Sequence, residues 1–167
     1  AVLRRMGRHW YTAESYEEAV ICLLPAAAPF ALSADIITGF PGETPADHAA
    51  TMAMLERLPF TSLHVFPYSP RPGTPALNLK DAVPVSTAKG RAEEMRVLAA
   101  DKGARYAAGR LGGKCDVVVT DRGKGLTEDY LAVRISDPSL PRRSRFSARL
   151  AMDEGRLTAV PEQLLPP

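Results

Sequence analysis

Between residues 12 and 28 apolar side chains recur at three-to-four spacing, at Tyr16, Ala19, Val20, Leu23 and Leu24, while Glu17 and Glu18 fall in the first turns. This pattern predicts a helix that Thr12 or Ser15 caps and that Pro25 and Pro29 end. Residues 31–38, ALSADIIT, are β-branched toward their end and bounded by breakers, as a buried strand would be. After GFPGETP, Thr44 suits an N-cap and Pro45 the first helical position; Met52, Leu55 and Leu58 supply an inner face until Pro59. Residues 62–68, SLHVFPY, predict a second strand, and SPRPGTPALN reads as a proline-rich loop too irregular to be an element.

Strand, helix and strand in that order make a βαβ unit, which demands a parallel pair and a right-handed crossover. Ligands of such sheets bind at the carboxyl ends of the strands, so the loops GFPGE and PYSPRPGTP are expected to face one pocket. A long helix is predicted over residues 85–108, with Ala88, Ala92, Met95, Ala99 and Tyr106 on one side and Lys89, Glu93, Arg96 and Lys102 outside. Past Gly109, Gly112 and Gly113 the chain changes to short strands, KCDVVVTD, TEDYLAVRIS, RFSARLAM and GRLTAVP, separated by turn residues. So short a segment has little core unless it closes on itself, so a small antiparallel barrel is expected. The reading is an α/β chain with residues 1–109 as one part and 110–163 as a separate β-domain.

Composition narrows the function classes. A chain of 167 residues with 46% hydrophobic and 24% charged residues has the balance of a folded globular protein. No apolar run approaches a membrane span and the N-terminus lacks a signal-peptide core, so no membrane partner and a cytoplasmic location are expected. The chain opens at Ala1 within what reads as an element, which points to a missing N-terminal part of the same polypeptide. Cys22 and Cys115 lie far apart without a C-x-x-C pattern and read as ordinary thiols rather than metal ligands. The net charge of +2 is small, but Arg4, Arg5 and Arg8 crowd the N-terminus, and Arg142, Arg143, Arg145 and Arg149 form an acid-free cluster. That cluster is either a solvated face or a nucleic-acid contact.

Candidate chemistry is sparse in the rest of the chain. In GFPGE, Gly39 and Gly42 permit close backbone approach, and Glu43 stands before a helix N-terminus; the motif is either a ligand loop or a plain strand-to-helix turn. Arg71, between Pro70 and Pro72, is either a preorganised guanidinium or part of a rigid connector. His64 reads as a satisfied core histidine, and Asp35 as a group that bonds either a polar substrate or a nearby amide. His9 and His48 have no recognisable partner, and no hydrolytic, nucleotide-loop or zinc pattern is present.

Taken in order, LRRMGRHWYTAESY, DIITGFPGET, LHVFPYSPRPGTPA, a long helix and GLTEDYLAVRI resemble the radical-SAM methylthiotransferases over about Val2 to Val160. The branch most resembled thiomethylates N6-threonylcarbamoyladenosine beside the tRNA anticodon. The resemblance implies the C-terminal part of a partial (β/α) radical-SAM barrel, followed by a TRAM domain, a small OB-like β-barrel that grips tRNA. It implies S-adenosylmethionine and [4Fe-4S] clusters as cofactors of the full-length protein. Residue by residue, it sets Ile37 and Gly39 against the adenine of S-adenosylmethionine, Phe66, Pro67 and Tyr68 beside the same nucleoside, and Arg8 at the cofactor carboxylate. It makes Lys114, Arg134, Arg142, Arg143 and Arg145 phosphate contacts and Tyr130 a base-stacking group, and Arg71 is expected to bind RNA with them.

The C-x-x-x-C-x-x-C that holds the catalytic cluster in that family is absent, so no catalytic or metal-ligating residue is expected in this chain, and the chain alone is expected to be inactive. The sulfur donor is left open. Alternative readings are a stand-alone RNA-binding module, a relative acting on isopentenyladenosine tRNA or on a ribosomal protein, and a different barrel enzyme with an appended β-domain.

Overall fold

The structure, a computed structural model, describes residues 1–23 and 30–164. The expected end of the first long helix, with Leu24, Pro25, Ala28 and Pro29, lies outside the described residues. Two compact units are present, one holding 1–23 and 32–103, the other 30–31 and 104–164.

In the first unit, α1 (Val2–Arg5) and α2 (Ala13–Leu23) precede β1 (Ser33–Thr38), α3 (Pro45–Arg57) and β2 (Ser62–Pro67). A short 3-10 turn (Pro75–Asn78) and α4 (Val85–Gly109) follow, so the loop expected to be wholly irregular contains one turn of helix started by Pro75. α2 begins where Thr12 and Ser15 exchange hydrogen bonds, Ser15 N–H to Thr12 Oγ1 at 3.2 Å and Thr12 N–H to Ser15 Oγ at 2.9 Å. Thr44 and Asp47 close a full capping box on α3, with Pro45 at its first turn.

β1 and β2 pair in parallel, Ser33 with Ser62 through Thr38 with Pro67, as a βαβ unit requires. One face of this pair is covered: Val20, Leu55, Leu58, Phe60, Val65, Ala92 and Met95 form the core, with Ala34, Ile36 and Leu63 beside them. Leu55 is fully buried, and truncating such a side chain costs about 2–5 kcal/mol. The expected stripe on α2 is narrower than its sequence indicates. Tyr16 and Val20 turn inward, but Ala19 and Leu23 are exposed, and on the opposite flank Glu17 is held by a two-pronged bond to Arg57 of α3.

The other face of β1–β2 is open, presenting Ser33, Asp35 and Ile37 beside Ser62, His64 and Phe66. This overturns the expectation that His64 sits in the core: strand alternation gives the covered side to Leu63 and Val65 and leaves His64 exposed opposite Asp35.

The second unit is a closed barrel of β3 (Lys114–Asp121), β4 (Lys124–Thr127), β5 (Ala132–Ile135), β6 (Arg145–Asp153) and β7 (Arg156–Leu164), in the order β3-β4-β5-β7-β6. Cys115, Val117, Val119, Val133, Ile135, Phe146, Ala148, Leu150 and Ala159 fill it. Inward and outward positions alternate along β3 and β6, as a small barrel demands. Gly125 faces inward where a Cβ would lie 3.1 Å from the Val118 carbonyl oxygen and 3.2 Å from Ile135 Cδ1, so no larger residue fits that wall.

Two expectations for this unit need correction. The barrel is not wholly antiparallel, because β5 and β7 run parallel, Arg134 opposite Thr158. A ring of five strands cannot alternate direction all the way round, so closure forces one parallel pair. Nor is TEDYLAVRIS one strand: Thr127 ends β4, and residues 128–131 turn the chain into β5.

Candidate functional site

At the carboxyl ends of β1 and β2 the two loops meet. The Tyr68 backbone N–H donates to the Thr38 carbonyl at 2.7 Å, and the Phe40 and Tyr68 rings pack edge to face with centroids 5.1 Å apart. Ile37 and Phe66 are register partners on the open face, 41% and 52% exposed, which leaves an uncovered apolar step there. The Tyr68 hydroxyl is buried without a partner among the described residues. Ile37, Gly39, Phe66, Pro67 and Tyr68 are thus brought together.

Much of the GFPGE loop is committed to holding itself. Gly39 has φ +73°, and a Cβ there would lie 3.1 Å from Ala88 Cα and closer still to its Cβ, so this glycine lets α4 approach the strand end. Thr38 Oγ1 donates to the Ala88 carbonyl at 2.9 Å beside it. The Glu43 carboxylate accepts the Gly39 N–H and pairs with Arg91 at 3.0 Å. Arg5 bonds Asp81 at 3.2 Å, while Arg8 donates to the Tyr11 hydroxyl at 2.8 Å and Arg71 is exposed.

On the barrel, a shallow groove of about 440 Å³ runs over β4, β5 and the start of β7, lined by Lys124, Leu126, Ala132, Arg134, Arg156 and Leu157 among others. A neighbouring depression of about 420 Å³ adds Arg122 and shares Lys124, Arg134 and Arg156. Four cations therefore line one continuous surface. Lys124 and Arg134 are direct cross-strand partners, an arrangement of like charges that is unfavourable without an anion nearby. Arg134 is partly offset by Glu154 at 3.2 Å and Asp153 at 3.5 Å. Arg122, Lys124 and Arg156 form no ion pair among the described residues.

Of the residues expected to contact RNA, only Arg134 lines this groove. Lys114 reaches Glu162 at 3.9 Å and Arg145 pairs with Asp116, both on the β3–β6 side. Arg143 has φ +69° in the loop before β6, where its N–H donates to the Val119 carbonyl at 2.8 Å, and Arg142 precedes it, exposed. Sequence reasoning missed Arg122, Lys124 and Arg156. The local signal was the D-R-G-K turn between two strands, which puts two cations at one hairpin end. Arg156, distant in sequence, gave none.

Tyr130 stands at the β4–β5 turn, 78% exposed, with φ +61°. Beneath it Asp129, with its side chain 1% exposed, accepts from Thr127 Oγ1 at 2.5 Å, Tyr106 at 2.6 Å and Arg110 Nε at 2.6 Å. Burial alone pushes the Asp129 carboxyl upward, but the three hydrogen bonds outweigh it and hold the group below the usual carboxylate range. Burial, reinforced by that carboxylate, pushes the Tyr106 hydroxyl up. Burial pushes the Cys115 thiol to about 11, whereas Cys22 is exposed. Among the described residues no group of three or more His, Cys, Asp or Glu could hold a metal ion, and no helix is long and apolar enough to cross a membrane.

In strand order and in its one parallel pair, the barrel is OB-like, with a basic groove on its second and third strands. Comparison with known proteins finds relatives of which the chain matches a part. The chain is 41% identical over 105 residues to a threonylcarbamoyladenosine tRNA methylthiotransferase of Thermotoga maritima, covering 63% of this chain and 24% of that protein. It is 40% identical over 136 residues to the protein of that name from Treponema pallidum, covering 80% and 28%. It is also 37% identical over 123 residues to a tRNA-2-methylthio-N(6)-dimethylallyladenosine synthase of Erythrobacter litoralis, covering 74% and 27%. The chain is a homologue of part of these methylthiotransferases and spans about a quarter of their length. No protein-family profile matches it.

Proposed function

We propose that this chain is the RNA-gripping part, with some of the cofactor pocket, of a radical-SAM tRNA methylthiotransferase. The single observation that carries the RNA reading is the groove in which Arg122, Lys124, Arg134 and Arg156 converge on an OB-like barrel. Phosphates neutralise such a cluster, and OB-type barrels use their second and third strands and adjoining loops for oligonucleotides. In this reading the barrel is a TRAM domain and its partner is tRNA. The relatives are named for two different modified adenosines, N6-threonylcarbamoyladenosine and N6-dimethylallyladenosine, and the first remains the proposed target.

The strand-end loops support a place for the nucleoside of S-adenosylmethionine. Ile37 and Phe66 offer an uncovered apolar surface, and the buried Tyr68 hydroxyl lacks, among the described residues, a partner that a nucleoside could supply. In the resembled family this cofactor supplies the radical that starts the transfer. Gly39 serves chiefly to let α4 approach, and the Arg8 guanidinium is engaged by the Tyr11 hydroxyl. The residues of this chain do not fit an iron–sulfur cluster, since its only thiols are Cys22 and Cys115 and cluster ligation needs more thiolates than two.

The test is fluorescence anisotropy of labelled tRNA with the 167-residue chain across a salt series. Affinity should fall steeply with salt, and Lys124→Ala and Arg156→Ala should each lower the slope by about 1. Triple replacement of Arg142, Arg143 and Arg145 by alanine measures the second basic cluster in the same assay. A salt-independent affinity, or one indifferent to all five positions, ends the RNA reading.

A further inference from the structure

We propose that the open face of β1–β2 reads the substituent on the target adenosine, with His64 donating to the carboxylate of a threonylcarbamoyl group and Asp35 accepting from its N–H and hydroxyl groups. This rests on the methylthiotransferase reading above and deepens it, from two named adenosines to the residues that tell them apart.

The face is ordered in rows. From the carboxyl ends of the strands inward, the register partners are Ile37 and Phe66, then Asp35 and His64, then Ser33 and Ser62. All six are exposed. Successive rows lie about 7 Å apart and partners within a row about 5 Å apart. An apolar step able to carry a flat base is thus followed, on the same face, by two rows of hydrogen-bonding groups. A transfer needs cofactor and substrate side by side, so a substituent on the substrate adenosine meets these rows next to the step.

The polar rows are not spent on the fold. Among the described residues, the side chains of Ser33, Asp35, Ser62 and His64 make no hydrogen bond or ion pair. Other charged groups of this unit are matched within it: Glu43 with Arg91, Asp81 with Arg5, and His48 with Glu94. An acid and an imidazole set side by side with their polar atoms uncommitted offer an acceptor and a donor to one ligand.

The two substituents differ in what they bring to such a face. Threonylcarbamoyl carries a urea-type linkage, a hydroxyl and a carboxylate, which supply donors, acceptors and a negative charge. Dimethylallyl is hydrocarbon and supplies none. Laying hydrocarbon over Asp35 and His64 takes both from water with nothing in return, so the face rejects it. Sites built on hydrogen-bonding groups discriminate against an analogue lacking them far more sharply than apolar pockets discriminate by size.

The experiment is a chemical-shift titration of the 167-residue chain, followed at the His64 imidazole. The probes are the free nucleosides threonylcarbamoyladenosine, its methyl ester and dimethylallyladenosine, each taken to millimolar concentration. Wild type should bind threonylcarbamoyladenosine about ten-fold more tightly than either of the others. His64→Phe puts an aromatic ring on an exposed strand position, which strands accept, so it should fold as wild type does. It should bind the acid no better than the ester, whereas His64→Gln, which keeps a donor, should retain part of the preference. Equal affinity of wild type for acid and ester, tighter binding of dimethylallyladenosine, or a His64 signal that none of the three moves overturns the proposal. The tRNA salt series reports separately on the barrel: salt-dependent binding that persists leaves the RNA reading standing when the nucleoside preference fails, and its absence in wild type removes that reading and this one with it.

Discussion

Glu43 and Arg91 form an ion pair of 3.0 Å whose side chains are 7% and 9% exposed, and the same guanidinium donates to the Glu43 carbonyl at 3.2 Å. With its Gly39 N–H acceptor role, Glu43 ties the strand-end loop to both α4 and itself. Removing one partner of so buried a pair strands the other charge, so Glu43→Gln should destabilise the chain by about 3 kcal/mol in urea unfolding followed by circular dichroism. Pairing it with Arg91→Met should recover part of that loss. A Glu43→Gln variant as stable as wild type contradicts the geometry.

Gly39 gives a second test of the same corner. Gly39→Ala adds a methyl against Ala88 and holds φ at +73°, so a loss of at least 1–3 kcal/mol is expected, roughly the cost of overpacking alone. Ala88→Gly in the same chain should restore only the steric part.

The Asp129 network makes barrel stability depend on pH at both ends. Asp129 is held below its unfolded value of about 3.9, so its contribution is present above that pH and is lost as pH falls through the folded value. Tyr106 is raised above its unfolded value of about 10, so its contribution is present below that pH and is lost as pH rises beyond it. Thermal unfolding of wild type should therefore weaken below about pH 4 and above about pH 10, and Asp129→Asn should flatten both limbs while lowering the midpoint between them.

The two thiols should separate cleanly with a chromogenic disulfide reagent at neutral pH. Cys22 is exposed and should react at once; Cys115, 3% exposed and pushed to about 11, should react only when the barrel opens. Two fast equivalents would mean that the barrel is not closed in solution.

Local physics made much of this chain legible from its residues alone. The Thr44-Pro45 start of α3, the three-to-four pattern around Leu55 and Leu58 and the span of α4 follow from contacts within a few turns of chain, which sequence spacing encodes directly, and the parallel β1–β2 pair follows from the strand–helix–strand order. The convergence of residues 39 and 68 also followed, since parallel strands leave their loops at one end.

Tertiary structure alone decided the rest. His64 is exposed because only one face of β1–β2 is covered, which alternation along a strand does not reveal. The parallel β5–β7 pair comes from closing an odd ring, and it sets Arg156 on the same surface as Arg134 and Lys124. Burial periods are written in neighbouring residues, but a charged surface is assembled by strand register between segments far apart in the chain, and register is fixed only when the barrel closes.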